Sequence, residues 1–305
     1  MKIGVVLCGG FAKGAYQAGF LKALQEKIKR ENIVAVSGAS IGVINAYAFA
    51  ANKLDDLEKL WKEIHFDSMV DLTLQVWFKK YFKKILAKII KEDDVLDVPL
   101  YAPIVYLPFI NYDYGKLTGE YTTSWRNFIL GTMSFPIFSG GIHFFRGQIS
   151  FDGGAIDNVP ILPILKNEKP DVIIAAHFNS RFKPRKYLLE DDTLVLDYDI
   201  TITDNISRTL HRTFDFTKEG ITDMFQFGYE YGLNLCEEIF GDLQNIETIK
   251  EKAQKRKQDE KEKRESGAFW DETINMVNKI AHPFFKHDGK NIKTLTKKIK
   301  RRNKF

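Results

Sequence analysis

The chain has 305 residues, 28% charged and 44% hydrophobic, with 21 Gly and 9 Pro, a balance that excludes a disordered or collagenous chain and allows one or two globular domains. Its formal charge of +5 invites a nucleic acid or an anionic membrane as partner. Eight of the 45 basic residues lie between Lys290 and Lys304, without an acidic residue among them; removing them leaves 37 basic against 40 acidic groups, a net of −3 over residues 1–289.

The N-terminus starts like a signal peptide, but its apolar stretch is short and runs into Gly9-Gly10, so Lys2 to Cys8 reads as a buried first strand. Lys13 to Lys27 follows with apolar residues at helical spacing. A second β-branched run, Ile33 to Val36, leads through Ser37-Gly38-Ala39-Ser40 into an apolar helix, Ile41 to Ala51. Two strands joined by a helix imply parallel pairing, with the ligand site beyond the carboxyl ends of the strands. Both glycine turns fall at that edge. Leu54 to Leu96 reads as a helical insertion, and further strands are predicted at Pro103–Leu107, Ile142–Phe145, Gln148–Phe151, Val172–Phe178 and Thr193–Tyr198. Residues 205–240 are helical in pattern. Glu247 to Glu265 is so densely charged that an exposed helix or a linker is expected, ahead of a last short helix near Thr273 to Ile280.

No run of eighteen apolar residues exists, since Val43 to Ala51 is short and interrupted by Asn45, so a transmembrane helix is excluded. Cys8 and Cys236 are too few for a disulfide framework or a thiolate metal site and point to a reducing, cytoplasmic setting.

Gly38-Ala39-Ser40-Ile41-Gly42 is a G-x-S-x-G between a strand and a helix, the context in which the serine becomes a candidate nucleophile on a tight elbow. Glycines on either side let the backbone pass without a Cβ clash, and the helix N-terminus favours developing negative charge at Ser40. The plain alternative is a helix N-cap. Gly9-Gly10-Phe11-Ala12-Lys13-Gly14 fails as a dinucleotide fingerprint, because Phe11 occupies the second glycine, and fails as a P-loop, because Lys13 precedes Gly14 rather than Ser or Thr. It suits an oxyanion loop, with backbone N–H groups of Gly9, Gly10 and Phe11 turned toward Ser40; the alternative is a turn that lets strand and helix pack closely. For the base, the sequence offers Asp152, directly after a strand and before Gly153-Gly154. Its ordinary alternative is a turn aspartate. Among six histidines, His177 at a strand end is the best candidate for a Ser-His-Asp triad.

These residues together resemble the patatin-like phospholipases: Gly9-Gly10 with Lys13-Gly14-Ala15-Tyr16 after the first strand, Gly38 to Gly42 after the second, and Asp152-Gly153-Gly154 followed by Asn158 and Pro160. Phe135-Pro136 and Phe138 resemble the family's segment before the aspartate. The resemblance covers about residues 3–165 and extends weakly, through Gly228-Tyr229, toward 240. It implies an α/β fold of three α/β/α layers around a mainly parallel sheet, a catalytic domain over 1–240, and a charged helical extension over 241–305. It also implies a Ser40–Asp152 dyad without histidine, a glycine-loop oxyanion hole, no metal or other cofactor, and phospholipids or other acyl lipids as substrates. Phe11 stands where the family usually has a third glycine, and its Cβ disfavours φ > 0.

A lipase must meet an interface. Val76 to Lys91 sets Phe78, Tyr81, Phe82, Ile85, Leu86, Ile89 and Ile90 on one face among lysines, the make-up of an interfacial helix and equally of a surface helix packed on the core. The basic segment 290–305 suits peripheral contact with anionic lipid, while nucleic acid is disfavoured without interleaved aromatics. A silent membrane-binding module and a general carboxylesterase with a Ser-His-Asp triad are the competing functions.

Overall fold

Strand β1 (Ile3–Leu7) is buried along its whole length, as a short apolar run must be when it has neighbours on both edges and cover on both faces. In the computed structural model, which describes residues 1–64, 86–108, 111–134, 143–178, 192–201, 211–241 and 245–265, β1 pairs in parallel with β2 (Ile33–Gly38) and with β7 (Val172–His177). Beyond them lie β8 (Leu194–Asp199), parallel to β7, and β3 (Val95–Leu107), parallel to β2. Three antiparallel strands, β4 (Asn111–Glu120), β5 (His143–Phe145) and β6 (Gln148–Asp152), complete one eight-stranded sheet. Its order is β5-β6-β3-β2-β1-β7-β8, with β4 also on β3.

Alternation along β1 divides the core into two layers. Ile3, Val5 and Leu7 join a large cluster with α1 (Gly14–Lys27), α2 (Ile41–Ala50), α3 (Leu54–Glu63), α4 (Ser124–Thr132) and α6 (Lys218–Ile239). Val6 and Cys8 join a smaller one with Ile161 and with Ile164 and Leu165 of α5 (Leu162–Glu168). The result is an α/β/α sandwich with one thick and one thin helical layer. Helices α1 and α6 touch at their backbones: a Cβ on Gly19 would lie 1.9 Å from the Phe225 carbonyl oxygen, and one on Gly228 would lie 1.9 Å from that of Tyr16.

The register of β3 positions the site. On one edge β3 pairs with β4 throughout; on the other it pairs first with β2, through Ser37 opposite Tyr101, and then with β6, through Asp152 opposite Ile104. Since β2 and β6 run in opposite directions along the same edge, their carboxyl ends meet head to head. Pro103, which has no N–H to give a ladder, sits where β3 changes partner.

The predicted helical insertion ends early, because Val95 and Leu96 already belong to β3. This strand starts eight residues before the predicted Pro103, and β4 escapes prediction altogether because Leu117 is its one buried residue. The charged segment forms a helix, α7 (Ile246–Glu265), rather than a linker. Ile249 and Ala253 are buried on the body, and Lys257 pairs with Asp197 of β8. Of the proposed interfacial helix, residues 76–85 lie outside the described residues, whereas Leu86, Ile89 and Ile90 are buried, so its last turn packs on the core. The segment 135–138, the short helix at 273–280 and the basic stretch 290–305 also lie outside the described residues.

Candidate active site

Ser40 occupies the turn between β2 and α2 with φ 52° and ψ −128°, a backbone shape that ordinary side chains avoid and that a nucleophile elbow requires. The flanking glycines make it possible. A Cβ on Gly38 would stand 2.4 Å from the Gly42 carbonyl oxygen, and one on Gly42 would stand 2.7 Å from that of Cys8. Ser40 precedes α2 without capping it. Across the meeting point of β2 and β6 it faces the Asp152 carboxylate, near enough to favour that carboxyl's ionised form.

Asp152 is 6% exposed. Burial pushes its carboxyl up from 3.8 to about 6, with the Ser40 hydroxyl and the Gly154 N–H pulling the other way. That N–H donates to Oδ1 at 2.8 Å, so the carboxylate caps its own glycine turn while it faces Ser40. Gly153 leaves no room for a side chain, as a Cβ there would lie 2.0 Å from the Pro103 carbonyl oxygen. A carboxyl of this kind, ionised near neutrality yet basic enough to accept a proton, suits a general base.

The glycine loop passes beside Ser40, since a Cβ on Gly9 would lie 2.8 Å from the serine Cβ. Of the three N–H groups nominated by sequence, that of Gly9 is already committed: it donates to Asn158 Oδ1 at 3.0 Å, while Asn158 Nδ2 donates to the Gly9 carbonyl at 3.3 Å. Gly9 is thus an anchor of the loop. Phe11 keeps the glycine-like shape in spite of its Cβ, with φ 53°. Lys13 sits just behind, its ammonium 5.1 Å from the centre of the Phe178 ring; burial lowers its pKa, partly offset by Asp199. Gly14 packs against Trp61.

Sequence reasoning missed the supports. Asn158 is visible only as part of the motif after Asp152, and nothing local announces that it clamps Gly9. Asn45, seen in sequence as a polar break in an apolar helix, donates to the Gly14 carbonyl and to Gln17 Oε1, both at 2.9 Å, and accepts from Trp61 Nε1 at 2.9 Å. Gln17 in turn donates to the Cys8 carbonyl at 2.7 Å. This buried network joins the helix after the glycine loop to the helix after Ser40. Burial pushes the Cys8 thiol up to about 12, so it is a neutral packing group. His177 is on β7, on the far side of β1 from Ser40's strand, and lies 3.8 Å from Asp197. Burial opposes charge on Asp197, yet His177 and Lys257 hold its carboxyl below the usual range.

Among the described residues, no group of His, Cys, Asp and Glu could hold a metal ion, and no helix is long and apolar enough to cross a membrane. No curated protein matches the sequence. In fold comparison the chain is similar to VipD from Legionella pneumophila, with a TM-score of 0.41 and 15% identity over 94% of this chain and 81% of that one. The family model described as patatin-like phospholipase matches residues 5–165, just over half of the chain and the whole of the region in which the two glycine turns and the Asp152 turn converge. On that match the chain belongs to the patatin-like phospholipase family and is a lipid acyl hydrolase.

Proposed function

We propose that the protein cleaves the acyl esters of phospholipids with Ser40 as nucleophile and Asp152 as general base. The observation that carries this reading is the strained Ser40 turn set against the buried Asp152 carboxylate at the junction of β2 and β6. Asp152 takes the hydroxyl proton as Ser40 Oγ attacks the ester carbonyl, then gives it to the departing alcohol oxygen, leaving an acyl-serine. Water, deprotonated by Asp152 in its turn, releases the fatty acid and restores the serine. The oxyanion formed in both halves meets the N–H groups of Gly10 and Phe11 and the positive end of α2. Gly9, Lys13, Gly14, Gly38, Gly42, Gly153 and Gly154 shape and hold the loops around it.

Residues 1–240 form the catalytic unit in this proposal and 241–305 an extension, whose basic segment 290–305 meets anionic lipid surfaces. The experiment is labelling of purified protein with a fluorophosphonate, followed by fatty-acid release from phosphatidylcholine vesicles. Wild type labels and Ser40→Ala does not; equal labelling of the two removes the nucleophile assignment. Vesicle binding without labelling would favour the silent membrane module, and retained hydrolysis in Asp152→Asn with loss in His177→Ala would restore a triad. Binding to anionic vesicles that survives deletion of 290–305 would remove the role given to that segment.

A further inference from the structure

Phe11 holds a conformation that its side chain opposes, at the point where the reaction proposed above requires a donor. A left-handed backbone disfavours an L-residue by roughly tenfold in population. Something must select it. The Phe11 ring packs on that of Phe214, with centroids 5.3 Å apart and planes at 39°, and the neighbouring Ala12 N–H donates to the Thr213 carbonyl at 3.1 Å. These two residues come from a turn some two hundred positions away, just before α6. The turn is itself fixed: the buried Asp215 carboxylate accepts from Arg212 Nη1 at 3.2 Å and from Thr217 Oγ1 at 2.5 Å, and Thr217 Oγ1 accepts from the Gly220 N–H at 3.0 Å. Phe214 is 48% exposed, more than filling the core would ask of it.

We propose that Thr213 and Phe214 form a brace that holds the oxyanion loop in its left-handed shape, making Phe214 a positioning residue for chemistry at Ser40. The effect on rate rests on the reading of Ser40 as nucleophile, whereas the effect on the loop does not. The brace does the work that a third glycine would otherwise do, because glycine reaches φ near +50° without help.

The test is a double-mutant cycle between Phe11→Gly and Phe214→Ala, read in two ways on the full chain. Amide hydrogen exchange of the peptide spanning Gly9 to Lys13 reports the loop, and the rate of fluorophosphonate labelling reports the aligned site. With Phe at 11, Phe214→Ala speeds exchange of that peptide and slows labelling, each by roughly tenfold. With Gly at 11, the same change alters labelling by less than about twofold. Exchange indifferent to Phe214→Ala, or labelling slowed by the same factor in both backgrounds, overturns the brace. A wild-type protein that does not label, but whose loop exchanges faster in Phe214→Ala, upholds the brace and places the failure on the nucleophile assignment.

Discussion

Ser40 and Phe11 share a positive φ, 52° and 53°, and are held in it by different sets of contacts. Around Ser40 the supports are backbone: Ala39 N–H on the Leu7 carbonyl, Gly42 N–H on that of Ala39, and Val43 N–H on that of Ser40, with Gly38 and Gly42 pressed against neighbouring main chain. Around Phe11, main-chain bonds from the Lys13 N–H to the Gly10 carbonyl and from the Ala12 N–H to that of Thr213 are joined by a half-exposed ring, Phe214. Strain enclosed by main chain has nowhere to relax. Strain held in part by an exposed side chain eases when that side chain is removed, so the elbow is a rigid part of the sheet edge and the glycine loop is the more adjustable one.

The largest effect expected of this difference is on folding. Gly38→Ala would drive a Cβ to 2.4 Å from the Gly42 carbonyl, and with main chain on both sides the cost exceeds about 4 kcal/mol, in the range of severe core strain. Phe11→Gly, at the other strained residue, shifts stability by no more than about 1 kcal/mol, because lost ring contact is offset by relief of strain. Thermal unfolding of the two variants checks the contrast, and similar midpoints would show that the elbow can yield.

Next comes Asp152→Asn, which changes the carboxylate that faces the elbow. With Asp152 as the base proposed above, the change lowers kcat by about 10²–10⁴-fold, while wild-type kcat/KM rises with pH and levels off above about 6, where the carboxyl is ionised. Stability moves the other way. The folded carboxyl, at about 6 against an ordinary 3.8, binds its proton more tightly than the unfolded one, so the wild type loses roughly 3 kcal/mol as pH rises from about 4 to about 6. The Asn variant shows no such loss and melts higher than wild type at pH 7. Denaturant unfolding across pH 4–8 reads this directly, and parallel curves for the two proteins would mean that Asp152 is not desolvated.

The same contrast explains what could be read from the sequence. The elbow is a five-residue motif between a β-branched run and an apolar run, so its position, its glycines and its serine are all legible locally. Asp152 is legible because a strand ends there in two glycines. The clamps on the oxyanion loop are not, because they arise from pairs 149 residues apart, Gly9 with Asn158, or farther still, Phe11 with Phe214. Such pairs exist only after β1, β2 and the Asp152 turn have been brought to one sheet edge. Strand β4 is hidden for a different reason: its outward face is polar, and β-pairing to β3 supplies what its composition does not.

Asn158 lies between the two extremes, tying the adjustable loop to the rigid aspartate turn. Asn158→Ala frees both the N–H and the carbonyl of Gly9. The loop then samples other shapes, and kcat falls by about tenfold with KM within about twofold of wild type, since a positioning defect acts on the transition state more than on lipid binding. Steady-state hydrolysis of a short acyl ester separates the two constants; a rise in KM alone would make Asn158 part of substrate binding.

The smallest effect is the most direct measure of how rigid each support is. At position 40, Gly accepts the observed φ and Ala does not, so Ser40→Gly is more stable than Ser40→Ala by about 1–2 kcal/mol, the strain of one residue in a disfavoured region less the entropy that glycine adds to the unfolded chain. The full difference appears because the main chain around the elbow cannot move to suit alanine. At position 11 both Phe11→Gly and Phe11→Ala remove the ring and with it the contact to Phe214, so the loop carrying alanine is able to turn to negative φ and shed its strain. The Gly–Ala difference there is less than about half of that at 40. Denaturant midpoints of these four variants give both differences from one set of curves. Equal differences at the two positions would mean that main chain, not the Phe214 ring, holds the oxyanion loop as firmly as it holds Ser40.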